Sequence, residues 1–212
     1  MWKTKKLPLK KTKPRSGRLR IVAGRLRGRW IAVPAAAARG LVRPLTTKVR
    51  EAIFSALHGR AENSRVLDLF AGSGSSGLEA LSRGARSVTF VERDAPTLAC
   101  LERNVADLDV AELCTLFRGD AIRYVVDAMC QSDEQKCFGL VFLDPPYPVE
   151  LPEVLWERLP RLLAEDGLII FRCHRSRRPR LPERYRIVRE RCYGDMLVLF
   201  LAPVAKGSAK ER

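Results

Sequence analysis

Four consecutive residues carry chemistry that the rest of this chain must position: Asp144-Pro145-Pro146-Tyr147. They follow Leu140-Val141-Phe142-Leu143, an apolar run that reads as a buried strand. Proline has no N–H and fixes its own φ, so no strand continues through Pro145 and Pro146, and the loop is stiff. A stiff strand end holds a carboxylate, a free carbonyl and an aromatic ring at fixed separations. That set suits gripping a planar base that carries an amino group. The same four residues also serve as an ordinary strand-ending turn, so their surroundings decide.

A second constellation is Asp68-Leu69-Phe70-Ala71-Gly72-Ser73-Gly74, with Gly77 after it. Val66 to Phe70 reads as a strand running into a glycine-rich turn and then a helix. Gly72 and Gly74 let the backbone take positive φ and approach a ligand closely. The spacing Gly72, Gly74, Gly77 fits a dinucleotide loop, a weak signal alone. Asp68 is the informative addition. It would repel a pyrophosphate, but it suits a ligand with a cationic amino-acid end, such as S-adenosylmethionine. Phe70, Ser73 and the glycines complete the expected cradle. Glu92 ends a second strand, Val88 to Glu92, and an acid there can accept from both ribose hydroxyls. Asp120 and Ala121 follow a third strand, where Asp120 can accept from an adenine amino group, cap a helix, or do both. Asp68, Glu92, Asp120 and Asp144 therefore end four successive strands on one sheet edge, where ligands of α/β sheets bind. A nicotinamide dehydrogenase is the main rival, and it has no use for Asp144-Pro145-Pro146-Tyr147.

The elements that must position these residues alternate strand and helix from Arg65 onward, the mark of a doubly wound parallel sheet. Strands are predicted near 66–70, 87–92, 114–118, 138–143 and 168–172, with helices near 76–83, 95–107, 121–130 and 152–163. Tyr185 to Arg189 and Asp195 to Phe200 flank Tyr193-Gly194 and close the sheet as an antiparallel pair. The expected fold is α/β: a Rossmann-like, seven-stranded doubly wound sheet with an N-terminal basic β-hairpin and helix. The hairpin spans Arg18 to Pro34 around Gly24 and Gly28. It is too small to stand alone and must dock on something. A helix near 45–57 follows, capped by Thr46 or Thr47 and ended by Gly59. The expected organisation is a basic tail (1–17), an N-terminal RNA-binding extension (18–60), a catalytic domain (61–203) and a second tail (204–212).

Charge separates these parts. Residues 1–50 hold 16 of the 39 Lys and Arg and no Asp or Glu, and the remainder is close to neutral. A basic arm on a near-neutral domain points to a polyanion partner. Residues 1–16 also read as a solvated tail. Arg18, Arg20, Arg25, Arg27, Arg29, Arg43, Lys48 and Arg50 are the expected RNA-binding residues, Lys48 and Arg50 equally reading as a solvated helix face. Cysteines 100, 114, 130, 137, 173 and 192 lack metal-knuckle or redox spacing and read as buried free thiols of a reducing compartment. With only His58 and His174, no metal site is expected. No signal peptide or spanning segment is seen, so a cytoplasmic chain is expected, with a monomer favoured.

The Asp68–Gly74 block, Glu92 and Asp144-Pro145-Pro146-Tyr147 resemble a class I methyltransferase that uses S-adenosylmethionine on an exocyclic amine. Arg20-Ile21-Val22-Ala23-Gly24, Val49-Arg50-Glu51-Ala52-Ile53-Phe54, Gly77-Leu78-Glu79-Ala80 and Tyr193-Gly194-Asp195 narrow the match. With these the chain resembles the RsmD-type bacterial 16S rRNA guanine-N2 methyltransferases over about residues 18–202. The resemblance implies methyl transfer to guanine N2 in 16S rRNA, within the small ribosomal subunit, with S-adenosylhomocysteine as product. Asp144, Pro145, Pro146 and Tyr147 would be the catalytic residues. Leu45 and Thr47 replace the family's usual Thr and Asp, and Arg172 stands where a Glu is common. Arg172 opens a cluster with Arg175, Arg177, Arg178 and Arg180, which reads as extra RNA surface or as a solvated basic loop. Two other readings stay open: an adenine-N6 methyltransferase on RNA or DNA, and a non-catalytic nucleic-acid-binding protein with a relict cofactor fold.

If the arm meets about six phosphates, RNA affinity falls roughly a thousandfold between 50 and 200 mM salt. A filter-binding titration across that range checks it; a flat response removes the arm from RNA binding.

Overall fold

The computed structural model describes residues 17–34, 47–127, 138–146 and 151–204. The chain forms β1 (Arg18–Arg20), β2 (Trp30–Ala32), α1 (Thr47–Ala56), β3 (Arg65–Leu69), α2 (Ser75–Ser82), β4 (Ser87–Glu92), α3 (Ala95–Asp107), β5 (Cys114–Arg118), α4 (Ala121–Asp127), β6 (Phe138–Leu143), α5 (Glu153–Arg158), β7 (Leu163–His174), β8 (Tyr185–Tyr193) and β9 (Met196–Pro203). Seven strands make one sheet in the order β5-β4-β3-β6-β7-β9-β8. β3 to β7 are parallel, and β9 is antiparallel to both β7 and β8. Val66, Leu67, Leu69, Leu140, Val141 and Leu143 are fully buried, as expected of central parallel strands covered on both faces. One face packs on α1, α2, α3 and the hairpin, the other on α4, α5 and the Leu159–Leu162 turn. The winding direction reverses between β3 and β6, so Asp68 and Asp144 meet at the switch point.

Most predicted elements appear within a residue or two. Three differ for physical reasons. The helix expected over 152–163 stops at Arg158 and continues as a 3₁₀ turn, Leu159–Leu162, because Pro160 offers no N–H to an α-helix. β7 begins at Leu163 rather than 168, with a register shift between the Phe138 and Leu140 pairings. β8 runs on to Tyr193, beyond the expected Arg189. Of the helix expected over 121–130, residues 128–130 lie outside the described part, as do residues 1–16, Thr46 and 205–212. Among the described residues, no helix is long and apolar enough to cross a membrane. Cys100 and Cys173 are buried, but Cys192, expected to be buried, is exposed on edge strand β8, while Cys130 and Cys137 lie outside the described residues.

The hairpin does dock, and it docks on the catalytic fold. Ile21, Leu26, Ile31 and Val33 are buried. Gly24 takes φ 81, and a Cβ there would overlap the Ser82 carbonyl. The Arg25 N–H donates to the Ser82 carbonyl oxygen at 2.7 Å, and Leu26 N–H to Ser82 Oγ at 3.0 Å. Glu79, fully buried in α2, holds the rest: its carboxylate accepts from Val22 N (2.9 Å), Ala23 N (3.1 Å), Arg50 Nε (3.3 Å) and Arg83 Nε (2.8 Å). This corrects the expectation for Arg50. It is fully buried, pairs with Glu79 and donates to the Arg20 carbonyl, so its charge is spent inside the fold. Deleting residues 1–34 would strip apolar side chains from the core, so the truncation that isolates the basic tail ends near residue 17.

Replacing Glu79 with Gln leaves the buried Arg50 guanidinium without its carboxylate, a loss of about 3–5 kcal/mol. Thermal melting should fall by roughly 6–20 °C for a chain of this size. A change under 2 °C by calorimetry would show that Glu79 is not the tie described.

Candidate active site

The carboxyl edge of β3, β4, β5 and β6 gathers the expected acids, and those of the first three strands are fixed by backbone donors. β3 ends at Leu69, and Phe70 turns out with φ 62. That is a costly conformation for a phenylalanine, and it marks the loop as held in place by its surroundings. Gly72 (φ 57) and Gly74 (φ 76) supply the expected positive φ, Gly74 directly before α2. A Cβ at Gly74 would run into Leu101, so the loop lies flush on α3. Before Gly72 there is open space, with nothing nearer than the Phe70 carbonyl oxygen at 4.0 Å. Ser73 is buried, and its carbonyl accepts from Asn104 Nδ2 at 3.0 Å.

Asp68 is buried, and its Oδ2 accepts from Gly77 N at 2.9 Å, bracing the first turn of α2. Glu92 accepts from Gly72 N at 2.9 Å with one oxygen and from Asp94 N at 2.8 Å with the other. Asp120 accepts from Ile122 N (2.9 Å) and Arg123 N (3.1 Å), so the cap reading of this residue is realised, with Ala121 buried beneath it. A carboxylate has about four lone-pair sites, so these bonds leave capacity for a ligand. The arrangement fits the amino-acid and nucleoside ends of S-adenosylmethionine: a close-approach glycine turn, acids at three strand ends and open space before Gly72.

Asp144 follows the last residue of β6 and is half-buried, with Pro145 buried behind it. Arg172, reaching over from β7, grips it in a two-point fork: Nε donates to Oδ1 at 2.6 Å and Nη2 pairs with Oδ2. Arg172 is 8% exposed, and its Nη1 has no hydrogen-bond partner among the described residues. The fork orients the Asp144 carboxylate. Beside Pro145 and Pro146 opens a cleft of about 980 Å³, walled by Trp156, Phe171, Arg172, Arg177 and Arg180. A nucleotide fits within that volume. Tyr147 lies outside the described residues, as do Arg43 and Leu45.

Of the expected RNA-binding residues, Arg18, Arg20, Arg25, Arg27, Arg29 and Lys48 are exposed. Two residues that organise the site, Glu79 and Asn104, carry no role in the sequence reading, and a third, Arg172, read as RNA surface or solvated loop, is instead buried on Asp144. Glu79 had a faint signal, an acid within the otherwise apolar Gly77-Leu78-Glu79-Ala80-Leu81 run. Asn104 had none, because its partners Ala32 and Ser73 are far away in the chain. The grip of Arg172 on Asp144 joins residues that only the sheet order brings together.

Residues 19–202 match the family model described as "Conserved hypothetical protein 95". The Ribosomal RNA small subunit methyltransferase D of Haemophilus influenzae is 35% identical over 84% of this chain and 90% of its own length. That of Escherichia coli K12 is 32% identical over 92% and 94%. Among solved structures, a candidate methyltransferase of Escherichia coli superposes with a TM-score of 0.74 at 30% identity, covering 90% of this chain and all of the other.

Burial pushes the Asp68 carboxyl up to about 7, with Glu92 in the same direction and the Gly77 N–H and Arg172 opposing. Between pH 4 and 7 the folded chain therefore holds a proton that the unfolded chain has released. Raising the pH through that window should weaken the ligand-free fold. Melting curves of wild type and Asp68→Asn, compared from pH 4.5 to 7.5, should diverge by this slope. Parallel curves would place Asp68 near the ordinary carboxylate range.

Proposed function

The chain belongs to the Conserved hypothetical protein 95 family, together with the ribosomal RNA small subunit methyltransferases D, and we propose that it methylates the N2 amine of one guanine in 16S rRNA. The observation that carries this reading is the Asp144–Arg172 fork, which holds a fixed acceptor at the end of β6, next to the prolines that line the cleft. The chain is an enzyme of the class I methyltransferase fold. S-adenosylmethionine, when bound, supplies an electrophilic methyl group. Everything else falls to the protein.

The target base leaves its stack and enters the cleft beside Pro145 and Pro146, as chemistry on a base requires. Asp144 and the Pro145 carbonyl accept the two N–H bonds of the exocyclic amine. That nitrogen is normally conjugated with the ring and nucleophilically poor. Two acceptors turn its lone pair toward the methyl donor, and holding the reactants in line contributes roughly 7–11 kcal/mol. Methylation would leave a surplus proton on that nitrogen, which Asp144 or water would accept. Tyr147 stacks on the base. Asp68, Glu92 and Asp120 hold the cofactor, with Phe70, Gly72, Ser73, Gly74 and Ala121 shaping its seat.

The extension 18–60 binds RNA through Arg18, Arg20, Arg25, Arg27 and Arg29, joined by Arg43 and Lys48, and the domain 61–203 performs the transfer. Phosphate contacts of this kind give affinity and orientation; they do not choose the base. The substrate is the assembled small subunit, and the setting is the cytoplasm during ribosome biogenesis.

Small subunits that lack the modification, incubated with the protein and S-adenosylmethionine, should yield N2-methylguanosine on nucleoside mass spectrometry. N6-methyladenosine instead would overturn the guanine assignment, and no product would overturn the reading. Asp144→Asn and Asp144→Ala should each lower kcat by about 10²–10⁴-fold, with cofactor binding retained in calorimetry. Turnover within a few-fold of wild type would remove Asp144 from the catalytic role.

A further inference from the structure

Trp30 is 55% exposed, while the next residue, Ile31, is 1% exposed. An indole brings a large apolar area, and leaving one open to water forfeits its burial. Alternation along β2 explains how it comes to be outside: Ile31 faces the core, so Trp30 faces out. Its register partner across the hairpin is Arg20. The Arg20 Nε donates to the Gly28 carbonyl at 3.2 Å, and the guanidinium stands 5.7 Å from the indole centroid. Arg18, Arg25, Arg27 and Arg29 are exposed on the same hairpin. Among the described residues none of these five arginines forms an ion pair with an acid.

The indole is also fixed relative to the cofactor loop. Asn104 accepts from Ala32 N at 2.7 Å and donates to the Ala32 carbonyl at 2.9 Å and to the Ser73 carbonyl at 3.0 Å. Trp30 stands about 7 Å along β2 from that tie. A flat apolar ring amid unpaired cations, held rigid against the catalytic fold, matches a ligand that presents a flat ring amid phosphates.

We propose that Trp30 is a stacking platform for an unpaired base of the substrate RNA, with the surrounding arginines on the adjoining phosphates. This rests on the RNA-methyltransferase reading above and adds to it a contact outside the cleft. Every base has a π-face, so stacking is tolerant of sequence. Trp30 therefore supplies affinity and register, and leaves the choice of guanine to the cleft.

The test is a fluorescence titration of the full chain, in a Trp2→Phe background, with a single-stranded oligoribonucleotide. Trp156 also walls the cleft, so the part of the quench that Trp30→Phe removes is the part that belongs to Trp30, and a quench left intact in Trp30→Phe would overturn the platform. By filter binding, which needs no fluorophore, Trp30→Ala should weaken binding roughly 5- to 150-fold, and Trp30→Phe by less, with melting temperature and cofactor affinity unchanged. The salt slope should stay as in wild type for both, whereas Arg27→Ala should lower it by about one. Binding without a quench, or Trp30→Ala binding as tightly as wild type, would overturn the platform and leave the methyltransferase reading intact. A lowered salt slope in Trp30→Ala would also overturn it, reducing Trp30 to a support for Arg20. Failure of the wild type both to bind RNA and to methylate small subunits would overturn the two together.

Discussion

A single buried carboxylate, Glu79, ties together parts of the chain that would otherwise fall apart. Burying an unpaired charge is prohibitive, and Glu79 is fully buried. It is tolerated because four donors surround it, two from the backbone of the hairpin, one from Arg50 in α1 and one from Arg83 at the end of its own helix. The hairpin is too short to hold itself together, with three residue pairs in its ladder. Its stability is borrowed from α2. Since α2 also begins at Gly74, the element that seats the RNA-facing hairpin is the one that opens at the cofactor loop.

The same economy governs the carboxyl edge. Asp68 and Asp120 accept backbone N–H bonds from the first turn of the helix that follows their strand, and Glu92 accepts from its own loop and from the loop after β3. Turns at strand ends leave donors without ladder partners, and a carboxylate at the strand end satisfies them. An acid that must meet a ligand is thus also the group that shapes the ligand's seat. Replacing one would damage loop and contact together, so affinity changes at these positions need a structural control.

Asp144 is held differently. Its partner is a side chain, Arg172, at the position where a Glu is common in the resembling family. Two neighbouring carboxylates would repel, whereas the arginine makes the pair attractive and geometrically fixed. The fork also brings a cation to the inner wall of the cleft.

The order of elements was legible from the sequence because periodicity is local. Apolar runs such as Leu140–Leu143 and the turn at Gly72-Ser73-Gly74 declare strand and loop without reference to distant residues. The four acids were legible as a set, since each ends a strand and parallel strands end on one edge. Pro160 carried its warning too: a proline inside a proposed helix interrupts it. What the sequence could not decide was partnership across the fold. Arg50 looked like any basic residue on a helix face, and only the packing of α1 against α2 turned it inward onto Glu79. Arg172 looked like the start of a basic loop, and only the adjacency of β6 and β7 placed it on Asp144. Trp30 lay in a strand pattern that left its face undetermined until Ile31 was seen to be buried. Residue type and spacing fix chemistry and local geometry. Burial and pairing depend on which surfaces meet, and that is settled by the whole chain at once.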